Sequence, residues 1–139
     1  MSFLLDTCAL SELTRPTPQR GFLNWFDAQP PEALFISALT VGEIEKGVSL
    51  APDGRKKLAL ETWLGRMRGV FAGRILHVDD TVATTWGRLA AAAEQSGRPL
   101  AAIDGLIAAT ALTHAFPIVT RNVTDFVATG VVLVNPWSD

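Results

Sequence analysis

The 139 residues predict a single α/β domain with a mainly parallel central sheet flanked by helices. Two observations carry that prediction. Short apolar segments alternate with stretches of helical period, in the order strand, helices, strand, helices, strand, helices, strand, strand. Those segments, such as Phe3-Leu4-Leu5 and Leu34-Phe35-Ile36, are apolar throughout, as strands covered on both faces are. No internal repeat or low-complexity tract suggests a second unit, so residues 1–139 read as one domain.

Each element has a local reason. Thr7, after the first strand, is a fair N-cap for a short helix through Ala9, Leu10 and Leu13, stopped before Pro16. Phe22, Leu23 and Phe26 recur at helical spacing and predict a helix over residues 19–28, ended by Pro30-Pro31. Leu34 to Ser37 is the second strand. Thr40 with Glu43 three residues later forms a capping box ahead of the apolar positions Val41, Ile44 and Val48. After the turn Pro52-Asp53-Gly54, a long helix runs to about Val70, with Leu58, Leu60, Trp63, Leu64 and Met67 as buried candidates. Ile75 to Val78 is the third strand. Asp79 or Asp80 caps a helix through Val82, Trp86 and Leu89 to Ser96-Gly97, whose Ala90 to Ala93 permit close packing. Ala101 to His114 is apolar nearly all round and predicts a buried helix. Pro117 to Thr120 is a strand, Asn122 to Phe126 a turn or single helical turn, and Val131 to Val134 the last strand.

Composition narrows the function. The chain carries 12 basic and 14 acidic residues, for a net charge of −2, so it is no basic nucleic-acid coat. Its single cysteine, Cys8, excludes an internal disulfide framework, suits a reducing cytoplasm and is expected to be a buried structural thiol. No apolar run is long enough for a membrane helix, and no basic region precedes the first one as in a signal peptide. Arg55-Lys56-Lys57, Arg66, Arg68 and Arg74 suit either phosphate contacts or a solvated helix face. A Gly-rich phosphate loop and a G-x-S-x-G elbow are both absent, and His77 and His114 lack a zinc spacing.

Four acids occupy unusual positions. Asp6 ends a buried strand, where open α/β sheets place ligand sites. Asp104 lies near the start of the most apolar helix, where an unpaired carboxylate is costly. Glu43 lies in the first turn of a helix that follows a buried strand, although the capping box also accounts for it. Asp125 follows the fourth strand in a polar loop with Asn122 beside it. In a parallel sheet all four fall on one edge, where mutual repulsion calls for a cation. Hard oxygen donors select Mg²⁺ or Mn²⁺. Such a site suits phosphodiester hydrolysis by metal-activated water, with Thr7, Ser37 and Thr120 as supporting hydroxyls.

These residues carry a resemblance. Phe3-Leu4-Leu5-Asp6-Thr7, Ile36-Ser37 with Glu43 and Gly47, Phe71 to Leu76, Ala102 to Ala111 around Asp104, and Thr120-Arg121-Asn122 with Asp125-Phe126 resemble the PIN-domain family in order and spacing. Within it they are similar to the VapC- and FitB-like ribonuclease toxins, and the terminal Asn135-Pro136-Trp137 looks like the FitB-like branch. The resemblance implies a PIN-like fold and a Mg²⁺- or Mn²⁺-dependent endoribonuclease acting on RNA. It implies Asp6, Glu43 and Asp104 as its catalytic, metal-binding acids. The fourth position is Asp125 or Asn122, and Thr120 matches a hydroxyl the family keeps near the site. A homodimer and a cognate antitoxin, a small DNA-binding protein, are also implied. The antitoxin would lay a helix in an apolar groove, for which aromatic residues at 22–26 and 63–71 are candidates. Two other readings of the same acids stay open: a non-catalytic PIN-like binding module in a regulatory complex, and a flavodoxin-like phosphate-signalling domain.

Overall fold

In the computed structural model, which describes residues 1–137, five short strands form one sheet. They are β1 (Phe3–Leu5), β2 (Leu34–Ser37), β3 (Ile75–Leu76), β4 (Ile118–Val119) and β5 (Leu133–Val134). Their order is β3-β2-β1-β4-β5, and every pairing is parallel. The order runs outward in both directions from β1, so the chain switches direction at the crevice between β1 and β4. Strands β3, β4 and β5 are each two residues long, shorter than the apolar runs that predict them.

Among the described residues six α-helices cover the sheet: α1 (Thr7–Glu12), α2 (Arg20–Asp27), α3 (Ala38–Leu50), α4 (Arg55–Val70), α5 (Asp80–Gln95) and α6 (Ala102–His114). Side chains alternate across a strand, and both faces of β1 are apolar. Phe3 and Leu5 enter a core with Leu10, Phe22, Val41, Leu64 and Met67 from α1 to α4. Leu4 enters the opposite core, with Ile107, Ala108 and Ala111 of α6, against which Leu89 of α5 packs. A fully buried Leu or Phe contributes about 2 kcal/mol, so the two-sided burial of β1 holds the centre of the sheet firmly.

Several local expectations change. Ser37, and not Thr40, caps α3: its hydroxyl accepts from Leu39 N at 3.0 Å. The helix thus begins earlier, no Thr40–Glu43 capping box forms, and Glu43 is left inside the helix. Likewise Asp6 caps α1, with Thr7 its first residue. Asp79 caps α5, its carboxylate accepting from Val82 N. Leu58 is solvent-exposed, while Leu64 and Met67 are buried. Helix α6 is not covered all round, since Ile103 and Leu112 reach solvent. Where α5 meets α6 the fit is tight. A Cβ on Gly105 would come within 3.0 Å of Leu100 Cδ2 and 3.1 Å of the Trp86 ring, which explains a glycine beside Asp104. Arg74 serves the fold, donating to the carbonyl oxygens of Pro31, Leu34 and Val70.

Candidate active site

Asp6 leaves the C-terminal end of the central strand and is buried at the switch-point crevice. Its carboxylate is held at both oxygens. Oδ1 accepts from Thr7 N at 2.6 Å, and Oδ2 accepts from the Thr120 hydroxyl at 2.8 Å. Thr120 follows β4, is itself fully buried, and accepts from Asn122 N at 3.0 Å. The first strand and the loop after the fourth are therefore tied through one acid. Cys8 joins the same cluster. Its Sγ donates to Asp6 Oδ2 at 3.4 Å and accepts from Arg121 N at 3.4 Å. A buried structural thiol was the expectation; the half-buried thiol instead touches the acid that organises the site. Chemical type alone does not signal this contact, because it depends on where β4 ends.

Glu43 reaches the cluster from α3. Thr7 Oγ1 donates to Glu43 Oε1 at 2.6 Å and lies 3.1 Å from Thr40 Oγ1. With the capping box gone, this carboxylate faces α1 rather than its own helix end. Asp104 projects from the first turn of α6, half-buried, and Asp125 is exposed in a single 3₁₀ turn after β4. His77 is exposed just beyond the edge strand β3, and His114 lies against Phe116.

Charge shows that the acids sense one another. Burial pushes the Asp6 carboxyl up from its ordinary value; the bonds from Thr120, Thr7 and Cys8 oppose this, and the charge of Glu43 adds to it. Burial also raises Asp104, followed by the charges of Asp6, Asp125 and Glu43. Burial and the neighbouring Asp6 push the Cys8 thiol up. Among the described residues the two salt bridges are Arg15–Glu12 and Lys57–Asp53, so none of these four acids has a protein cation as partner.

The donor set fits a hard divalent cation: carboxylate oxygens dominate, and no protein charge neutralises them. Among the described residues, however, no three His, Cys, Asp or Glu side chains are grouped closely enough to hold a metal ion as they stand. The acids line a common rim, with Asp6 the most tightly fixed and Asp125 the least. The cationic candidates on α4 are not drawn toward this rim by any hydrogen bond, and Lys57 pairs instead with Asp53.

A second polar cluster was not foreseen from the sequence. Glu12, at the end of α1, is only 4% exposed. It accepts from Trp137 Nε1 and Gln19 N, each at 3.0 Å, and pairs with Arg15 at 3.3 Å. Burial works against its charge, but the bonds from Trp137 and Gln19 and the cations Arg15 and Arg121 hold its carboxyl below the ordinary value. The only sequence signal is an acid at the edge of a short amphipathic helix, which is too common to single out.

Comparison with known proteins adds four findings. Residues 3–130 match the family model described as PIN domain. The chain is 40% identical over 137 residues to the protein named Toxin FitB of Neisseria gonorrhoeae, covering 98% of this chain and 99% of that one. It is 38% identical over 135 residues to the VapC ribonuclease Y4jK of Sinorhizobium fredii, covering 96% of each. The crystal structure of FitAcB from Neisseria gonorrhoeae superposes with a TM-score of 0.92 at 39% identity, covering 99% of both chains.

Proposed function

Because the chain belongs to the PIN-domain family, we propose that it is the toxin of a toxin–antitoxin pair, an endoribonuclease dependent on Mg²⁺ or Mn²⁺. One observation carries this reading above the others. Acids from four separate elements share the rim at the switch point of a parallel sheet, and Asp104 feels the charges of the other three. A resting protein gains nothing from that repulsion. The similarity to a protein named VapC ribonuclease supports the nuclease reading.

In this account Asp6, Glu43 and Asp104 hold the cation, and Asp125 completes the set from the loop after β4. When bound, the ion activates water and neutralises charge at the phosphodiester. The chain's own groups do the positioning. Thr120 and Thr7 N fix both oxygens of Asp6, and Thr7 Oγ1 fixes one oxygen of Glu43, so each carboxylate has a set orientation before any ligand arrives. Asn122 donates its backbone N–H to Thr120, which keeps that hydroxyl's own proton directed at Asp6.

The partner is a cognate antitoxin. An apolar groove of about 440 Å³ runs between α1, α2 and α4, lined by Leu10, Leu13, Phe26, Trp63, Met67 and Val70. Its apolar lining suits the apolar face of an amphipathic helix. A solved neighbour described as a toxin–antitoxin complex from Klebsiella pneumoniae, 27% identical with a TM-score of 0.72, supports this assignment. A homodimer completes the proposed assembly.

The test is cleavage of single-stranded RNA with Mg²⁺ or Mn²⁺ present and absent. Wild type cuts only with the ion, and Asp6→Asn and Asp104→Asn each lose more than about 100-fold. Equal rates for both variants and wild type would end the nuclease reading.

A further inference from the structure

We propose that Arg121, held over Trp137 beside the buried Glu12, forms with Arg15 a subsite for a flanking nucleotide of single-stranded RNA. This rests on the nuclease reading above and names a part of the substrate contact that the acids themselves cannot make.

The geometry begins with Trp137. Its ring stacks on buried Phe22 with centroids 4.7 Å apart and an interplanar angle of 22°. The Arg121 guanidinium lies over the same ring, 5.5 Å from its centroid. The indole N–H is used by Glu12 at 3.0 Å. The indole is thus fixed by a buried phenyl and a buried carboxylate, and the exposed member of the stack is the arginine. An exposed arginine ordinarily samples many rotamers; a cation–π contact of this kind restrains it at the surface.

Position supplies the second part. Arg121 stands between Thr120, which holds Asp6, and Asn122, and its own backbone N–H donates to Cys8 Sγ. Its backbone is therefore anchored to the acid rim while its side chain reaches the far end of α1. That helix has six residues and so spans about 9 Å. The cation stands away from Asp6, where the nucleotide beside the cleaved bond would lie.

Charge supplies the third part. Among the described residues Arg15 and Arg121 outnumber the one acid between them, so the patch these three form is net positive beside a rim of four acids. A polyanion repelled by that rim needs such a hold. Guanidinium serves it in two ways, by paired hydrogen bonds to phosphate and by presenting a plane on which an unpaired base stacks. A protein partner that brings a basic side chain to the acids would meet like charge at this patch, which favours RNA as the occupant.

The experiment is fluorescence-anisotropy binding of a single-stranded RNA oligonucleotide in EDTA, so that the readout is not cleavage, across a series of salt concentrations. Arg121→Gln weakens binding about tenfold and lowers the slope of log affinity against log salt by about 0.7. Arg121→Lys keeps the slope but loses part of the affinity, because ammonium has no stacking plane. Arg15→Gln weakens binding less, its charge being shared with Glu12. Arg88→Gln, on the exposed face of α5, is the charge-matched control and changes affinity by less than about twofold. Every variant keeps a cooperative melt. Unchanged affinity and slope in Arg121→Gln, or an equal loss in Arg88→Gln, overturns the subsite. If Asp104→Asn still abolishes cleavage in that case, the nuclease reading survives alone. A wild-type protein that neither binds nor cuts RNA overturns both.

Discussion

Asp104 works against the fold that carries it. Burial, and then the charges of Asp6, Asp125 and Glu43, raise its carboxyl above the ordinary value of 3.8. An acid raised in the folded state stabilises at low pH and loses that contribution as pH rises through the folded value. The metal-free protein at neutral pH therefore carries a penalty that Asp104→Asn removes. Thermal melts in EDTA near pH 7 should rise by about 4 °C, on the order of 1 kcal/mol, and the difference should close below about pH 3.8. A lower melting temperature for Asp104→Asn at neutral pH would contradict the repulsion. Glu12 has the opposite sign: held below its ordinary value of 4.5, it stabilises above that pH and stops doing so as pH falls. Asp104 is conspicuous in the sequence because an acid interrupts an apolar helix. Glu12 is not, since its partners Gln19 and Trp137 lie 7 and 125 residues away and no spacing rule connects them.

At the scale of elements, the alternation of apolar runs and helical periods reveals the parallel sheet and all six helices, while the ends of the elements are hidden. Ser37 and Thr40 are both good N-cap types three positions apart, and local propensity does not choose between them. Tertiary packing does. Ser37 ends β2 beside β1, and Thr40 is buried next to Thr7, where its hydroxyl is 3.1 Å from Thr7 Oγ1. The outcome decides whether Glu43 is a capping residue or a free acid. Ser37→Ala should lower stability by about 1 kcal/mol in urea unfolding, because Leu39 N loses its acceptor. No change would mean that the helix start is held by other contacts. The strands come out shorter than the apolar runs, since residues such as Val78 and Val132 lie beyond the paired register and reach solvent.

For the whole molecule, the two faces of the chain divide the work. The C-terminal rim of the sheet carries the acids, and the groove between α1, α2 and α4 carries exposed apolar surface away from them. Val70 lines that groove at 62% exposure, so a charge there is borne by solvent and not by the core. Val70→Lys should weaken capture of the cognate antitoxin about tenfold or more in a calorimetric titration and leave RNA cleavage and melting temperature unchanged. Unaltered capture would place the partner elsewhere. Such a division follows from topology: the strands of a parallel sheet all end on one side, so their acids gather there whatever the helices pack against.

The central claim is that Asp6, Glu43 and Asp104 share one divalent ion, and titration calorimetry with Mn²⁺ on folded protein tests it most directly. Wild type should bind, and Asp6→Asn and Asp104→Asn should each lose that binding while keeping a cooperative melt. Binding of equal strength in wild type and both variants would contradict the claim.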